Sequence, residues 1–171
     1  MPGCGAGGIG QRSALDLPAA FQARPLVPED LVLVTALGHR LAARCGPSLS
    51  DARDEPFVCL AADSRLHAIL ADAAAAEGFV PRSEFETYSP ASIRELVAAG
   101  LGVALLARSA TERPGPAIGV CELARPPEHP PIGLIRSRAR PLPPAARAFW
   151  NHLAATAEGA GGGARATPGG G

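Results

Sequence analysis

The sequence predicts an α/β fold in which helices pack on a mostly parallel sheet. Three observations carry this. Through the middle of the chain, short β-rich apolar runs alternate with stretches whose apolar residues recur at helical spacing. Those helical stretches open on Ser and close on Gly, the residue types that satisfy helix ends. Hydrophobic residues make up 47% of the 171 positions, enough for one core of ordinary size and too little for two full domains with linkers.

Taken in order, residues 31–35 (LVLVT) and 57–60 (FVCL) read as buried strands. Residues 48–51 between them read as a short helical turn. Ser64 caps a helix running to about Glu77, with Leu66, Ile69, Leu70 and Ala73 on one face and Gly78 as its left-handed terminator. Residues 83–88 read as a strand. Ser89 followed by Pro90 opens a second helix whose buried stripe is Ile93, Leu96 and Val97, and Gly100 ends it. Gly102 marks a close helix–strand approach at the head of a buried strand over 102–106. Residues 118–123 and 131–135 are two weaker strands. Pro143 and Pro144 open a last helix that buries Phe149, Trp150 and Leu153.

Charge and cysteine usage exclude several classes. The formal charge is zero, from 16 basic and 16 acidic residues, and every basic residue is Arg. A nucleic-acid-binding module carries a basic excess, so any DNA contact lies outside this chain. The cysteines, Cys4, Cys45, Cys59 and Cys121, form no CxxC pair and have no His at metal-ligand spacing, so no metal is expected. Cys59 and Cys121 fall in apolar runs and read as buried thiols, which fits a reducing cytoplasm. No stretch approaches the ~20 apolar residues of a membrane span, and no export signal is visible. Residues 5–10 match GxGxxG without the preceding strand that a dinucleotide site requires. There is no GxSxG elbow and no Walker loop. Asp63, Ser64 and His67 sit within one helical turn and do not make a proton relay, so no catalytic residue and no cofactor are expected.

Five phrases, in order, resemble the LysR-type transcriptional regulators. Residues 31–42 (LVLVTALGHRLA) are similar to the family's crossover strand and His-Pro-Leu-Ala turn, with Arg40 in place of Pro. Residues 48–57 (SLSDARDEPF) resemble "sLadL.depf". Residues 64–79 form a helix ending in an "aGF"-like turn. Residues 92–110 (SIRELVAAGLGVALLARSA) are close to "i..lVaaGlGvallP.s", with Ala107 where Pro is usual. Residues 140–153 (RPLPPAARAFWNHL) resemble the closing "r.lspaaraF...l" helix. Leu15-Asp16-Leu17 weakly resembles a further family strand, "lDlai".

The resemblance implies a type 2 periplasmic-binding-protein-like regulatory domain, with the complete second subdomain at about 56–109 and part of the first. The folded part spans 24–157, between a Gly-rich, poorly ordered start (1–23) and a Gly-rich, disordered tail (158–171). It further implies a cytoplasmic sensor of a small effector, a small carboxylate or aromatic, that reaches DNA only through a winged helix-turn-helix absent from this chain; homo-oligomers are possible. The alternative on the same scaffold is a stand-alone metabolite-binding protein or an inactive truncated remnant. The site residues implied are Ser64, Arg65, Tyr88, Ser89 and Ser92. Two helix N-termini supply unpaired amides suited to a carboxylate, Arg65 a guanidinium fork and Tyr88 a ring. Against this stands a plain structural role: both serines as caps, Arg65 in solvent, Tyr88 at a core edge.

Overall fold

The computed structural model describes residues 18–161, with side chains to residue 157. Leu15–Leu17, the GxGxxG-like run and most of the Gly-rich tail lie outside the described residues. The chain divides into two compact units, residues 30–129 and residues 18–29 with 130–161.

The first unit contains β2 (Leu31–Thr35), a 3-10 turn (Leu49–Ala52), β3 (Pro56–Leu60), α1 (Arg65–Ala76), β4 (Arg82–Thr87), α2 (Pro90–Ala98), β5 (Ala104–Ala107), α3 (Arg108–Thr111) and β6 (Gly119–Cys121). The strands lie in the order β4-β3-β5-β2-β6. β3 and β4 are parallel, and a parallel bridge from Phe57 to Val103 joins β3 to the segment entering β5. β2 is antiparallel to both its neighbours, β5 and β6. Four strands thus point one way and β2 alone runs back, which is the mostly parallel sheet expected.

Alternation of side chains along the strands builds two cores. Leu31, Leu33, Phe57, Cys59, Val103 and Leu105 face α1, through Leu70 and Ala74. Val32, Val34, Val58, Ala104 and Leu106 face α2, through Ile93 and Val97. The helices therefore cover opposite faces, and β2 is buried at every position. That is why its sequence is a continuous apolar run rather than an alternating one. Both helices end alike. Gly78 (φ 77°) and Gly100 (φ 80°) take the left-handed conformation, and Phe79 and Leu101 donate back to the carbonyls of Ala74 and Leu96. Gly102 differs from its expected role. Its close approach is to another strand, since a Cβ there would lie 2.3 Å from the Pro56 carbonyl oxygen.

In the second unit, β1 (Phe21–Val27) and β7 (Ile132–Ser137) pair antiparallel, and α4 (Pro144–Gly161) packs on β1. β1 is a strand not anticipated, and its first residues fall within the stretch expected to be poorly ordered. Its signal is the alternation Phe21, Ala23, Pro25, Val27, masked by a proline that an edge strand tolerates. α4 likewise runs past Glu158, into the stretch expected to be disordered. Arg136 bonds Gln22 (2.7 Å) and stacks 5.4 Å from the Trp150 ring centroid, which places α4 over the Gln22/Arg136 face. Phe149, expected to be buried, is 60% exposed. It stands one residue, about 100° of helix turn, from Trp150, and the stripe that packs is Ala146, Trp150, Leu153 and Ala154.

Candidate functional site

The carboxyl ends of β3 and β4 are adjacent, and each strand feeds a helix there. Ala61, just after β3, donates to the Thr87 carbonyl at the end of β4 (2.9 Å). Ser64 donates back to the Ala61 carbonyl (2.8 Å), and Ser89 donates to Thr87 Oγ1 (3.4 Å). Short links from neighbouring strand ends thus bring the first turns of α1 and α2 to the same end of the sheet. The site starts from this juxtaposition, because open α/β sheets take ligands where strands end and helices begin.

An accounting of the first-turn amides shows what is available. In α1, the Ser64 hydroxyl accepts from His67 N (3.1 Å), and Ala68 N reaches the Ser64 carbonyl (3.2 Å). The N–H groups of Arg65 and Leu66 have no intrahelical partner, and no other acceptor meets them among the described residues. In α2, Pro90 has no N–H, Ala91 N donates to Ser89 Oγ (3.2 Å), and Ile93 N donates to the Ser89 carbonyl (3.1 Å). The Ser92 N–H remains. Three backbone donors, at Arg65, Leu66 and Ser92, therefore stand at the positive ends of two helices. The Ser64 and Ser89 hydroxyls accept from the backbone and keep their own protons to donate.

The sequence-identified side chains fall into two groups. Ser64, Ser89 and Ser92 are half-buried at the two helix starts. Arg65 is exposed, and Tyr88 is 90% exposed between β4 and Ser89. Neither is packed against the site in this arrangement. His67 is half-buried, and its ring Nδ1 lies 3.0 Å from the Leu60 carbonyl at the end of β3, a placement that sequence reasoning missed. The available signal was its spacing. It sits three residues after the cap, on the turn that faces the strand it came from. The ring nitrogen bonds that carbonyl and not the Ser64 hydroxyl, so Asp63, Ser64 and His67 are not arranged as a proton relay.

Other polar clusters hold the scaffold. Arg94 of α2 donates to the carbonyls of Pro116 (2.8 Å) and Thr111 (2.9 Å), and also to that of Arg113, fastening the strap that leads to β6. Asp51 lies below the ordinary carboxylate range because its carboxylate accepts from Ser48 N (2.9 Å), helped by Arg44 at 2.8 Å. Burial pushes Glu55 up, but Arg40 (2.8 Å) and His39 (3.4 Å) outweigh it, so its net shift is downward. Burial pushes the Cys59 and Cys121 thiols up, and both are free and buried. Among the described residues no group of three His, Cys, Asp or Glu side chains could hold a metal ion, and no helix is long and apolar enough to cross a membrane.

Sheet order, the reversed β2 and paired helix starts define the class: an effector-binding α/β domain of the type 2 periplasmic-binding-protein kind. The chain belongs to the LysR substrate-binding domain family, whose model matches residues 8–158. It is 33% identical over 135 residues to the HTH-type transcriptional regulator YwbI of Bacillus subtilis, covering 77% of this chain and 44% of that protein. The chain thus spans less than half the length of this curated relative. Among solved structures it resembles the CcmR regulatory domain of Synechocystis in complex with 2-PG (TM-score 0.76, 17% identity, 84% of this chain and 71% of that one). It also resembles the effector-binding domain of QuiR in complex with shikimate (TM-score 0.72, 20% identity, 86% and 70%). At these identities the likeness concerns the fold.

Proposed function

We propose that this chain is the effector-sensing part of a cytoplasmic LysR-type transcriptional regulator, and that the sheet end of its first unit takes the anionic group of a small effector. One observation carries the reading. The free amides of Arg65, Leu66 and Ser92 stand at the ends of adjacent strands, where helix dipoles favour negative charge. The hydroxyls of Ser64 and Ser89 donate to the same anion, and Tyr88 and Arg65 close over it from solvent. The neighbours that carry shikimate and 2-PG support a small acidic ligand. Contact with DNA falls to a winged helix-turn-helix that these residues do not include, in keeping with zero formal charge here. Binding alters output only by favouring one conformational state over another.

The test is an amide-resolved NMR titration with phenylacetate, an aromatic carboxylate. Saturable downfield shifts of the Arg65, Leu66 and Ser92 N–H signals are expected, with the amides of α4 unmoved. If those three amides stay still while others shift, the anion site lies elsewhere.

A further inference from the structure

We infer that the outer edge of β7 is a self-association surface, and that its partner is β7 of a second copy of this chain, antiparallel about a two-fold axis at Ile135. The ladder with β1 fixes which groups are open. Arg138 N donates to the Ala20 carbonyl (2.8 Å), and the register sets Gln22 against Arg136 and Arg24 against Leu134. Bonded and non-bonded pairs alternate along an antiparallel ladder, so 20/138, 22/136 and 24/134 are the bonded ones. Pro25, which has no N–H, falls at a non-bonded position opposite Gly133. The N–H and C=O groups of Gly133, Ile135 and Ser137 therefore point away from β1, and no other strand lies beside β7 among the described residues. Nothing guards this edge. Residues 132–137 contain no proline or lysine. Arg136 leans back to Gln22 and Trp150, and Arg138 to the Phe21 carbonyl (3.1 Å). Ile132 and Ile135 are half exposed. An open, uncharged edge of this kind is a template for another strand.

Charge decides which strand fits. An uncharged edge is matched by an uncharged one, and the other outer edges among the described residues do not qualify. β4 carries Glu84 and Glu86 with an irregular register beside them, the devices that keep an edge from pairing. β6 is only three residues long. The outer edge of β1 is already occupied: Phe21 N donates to the Pro18 carbonyl (2.9 Å), the Phe21 carbonyl accepts from Arg138, and Pro25 has no donor. A second β7 leaves nothing unmatched. With Ile135 opposite its own counterpart, Gly133 meets Ser137 and Ser137 meets Gly133, so each outward N–H and C=O finds a partner. Arg136 then stands opposite Leu134, and no arginine faces an arginine. The contact uses the same patch on both copies and closes as a pair. Six residues a side, against about 20–30 in a standard interface, make it weak and concentration-dependent.

The experiment is sedimentation velocity on the whole chain over about a hundredfold range of concentration, with amide hydrogen exchange measured at both ends of the range. The wild type is expected to pass from monomer to dimer. Exchange at Gly133, Ile135 and Ser137 should slow as it does, while that at Gln22 and Leu134, already bonded across the ribbon, stays the same. Ile135→Lys and Ile135→Glu each set like charges against each other on the axis and should weaken association at least about tenfold. An equal mixture of the two variants should restore it, because in this register residue 135 faces its own counterpart. Both variants alter a side chain that is 51% exposed, and recovery in the mixture shows that both fold. A wild type that stays monomeric, association that survives in Ile135→Lys, or a mixture no better than either variant alone overturns the proposal. So does protection of the three amides that is equal at every concentration, which would put a segment of the same chain on the edge.

Discussion

Replacing Gly102 with Ala tests how β3 and β5 are joined. The new Cβ would sit 2.3 Å from the Pro56 carbonyl oxygen and 3.0 Å from its carbon. Both are backbone atoms, so no side-chain rotation relieves the clash, and φ of 157° adds strain for an L side chain. Restoring contact distance requires the strands to part by about 1 Å. Val58 N to the Val103 carbonyl and Val103 N to the Pro56 carbonyl, both 2.9 Å, then stretch past the range of a hydrogen bond. Two lost bonds cost about 1 kcal/mol each. Overpacking beside Phe57, which is fully buried, adds about 1–3 kcal/mol. The expected destabilisation is about 3–5 kcal/mol in urea unfolding, read as a lower midpoint at unchanged slope. Thermal melting should fall by at least about 10 °C. A loss below about 1 kcal/mol would show that the strands part freely and that this joint does not hold the sheet.

Three further outcomes follow from the same contacts. Arg94→Gln removes the guanidinium that gathers the carbonyls of Thr111, Arg113 and Pro116; stability should drop by about 1–3 kcal/mol, and cleavage after Glu112 by a Glu-specific protease should accelerate, whereas unchanged cleavage would mean the strap is held by other means. Asp51 and Glu55 have folded-state pKa values below their ordinary 3.8 and 4.5, so their stabilisation is complete above those values and is lost as pH falls through the lower folded ones; melting should weaken below about pH 4, less steeply in Asp51→Asn, and an identical acid slope in that variant would contradict the assignment. Cys59 and Cys121, with thiols pushed up by burial, should resist alkylation in native buffer and react on unfolding; fast native labelling of either, read by peptide mass, would contradict its burial.

Most of the first unit was legible because local chemistry and tertiary packing agree there. Ser64 and Ser89 cap, Gly78 and Gly100 terminate, and the stripes between them bury as their spacing requires. The second unit was less legible. β1 carries Pro25 and exposes Phe21 and Val27, so neither its composition nor its burial is that of an interior strand. α4 offers two adjacent aromatic residues, and periodicity does not decide which of Phe149 and Trp150 turns inward. The deciding partner is Arg136 on β7, distant in sequence. At the candidate site the caps were readable, because an N-cap is a local signal. The orientation of His67 was not, because it depends on a carbonyl at the end of β3. Nor could a sequence assign the amides of Arg65, Leu66 and Ser92 as the free ones before every neighbouring acceptor had a place.

The strand that runs against the rest has a consequence for how this unit comes apart. Val32 and Val34 belong to one helix layer, Leu31 and Leu33 to the other, and both edges of the strand are bonded. No partial opening can release it without stripping both layers at once. Amide protons in its interior should therefore exchange with solvent only through global unfolding, so their exchange rates would read the stability of the whole unit from a single stretch of backbone.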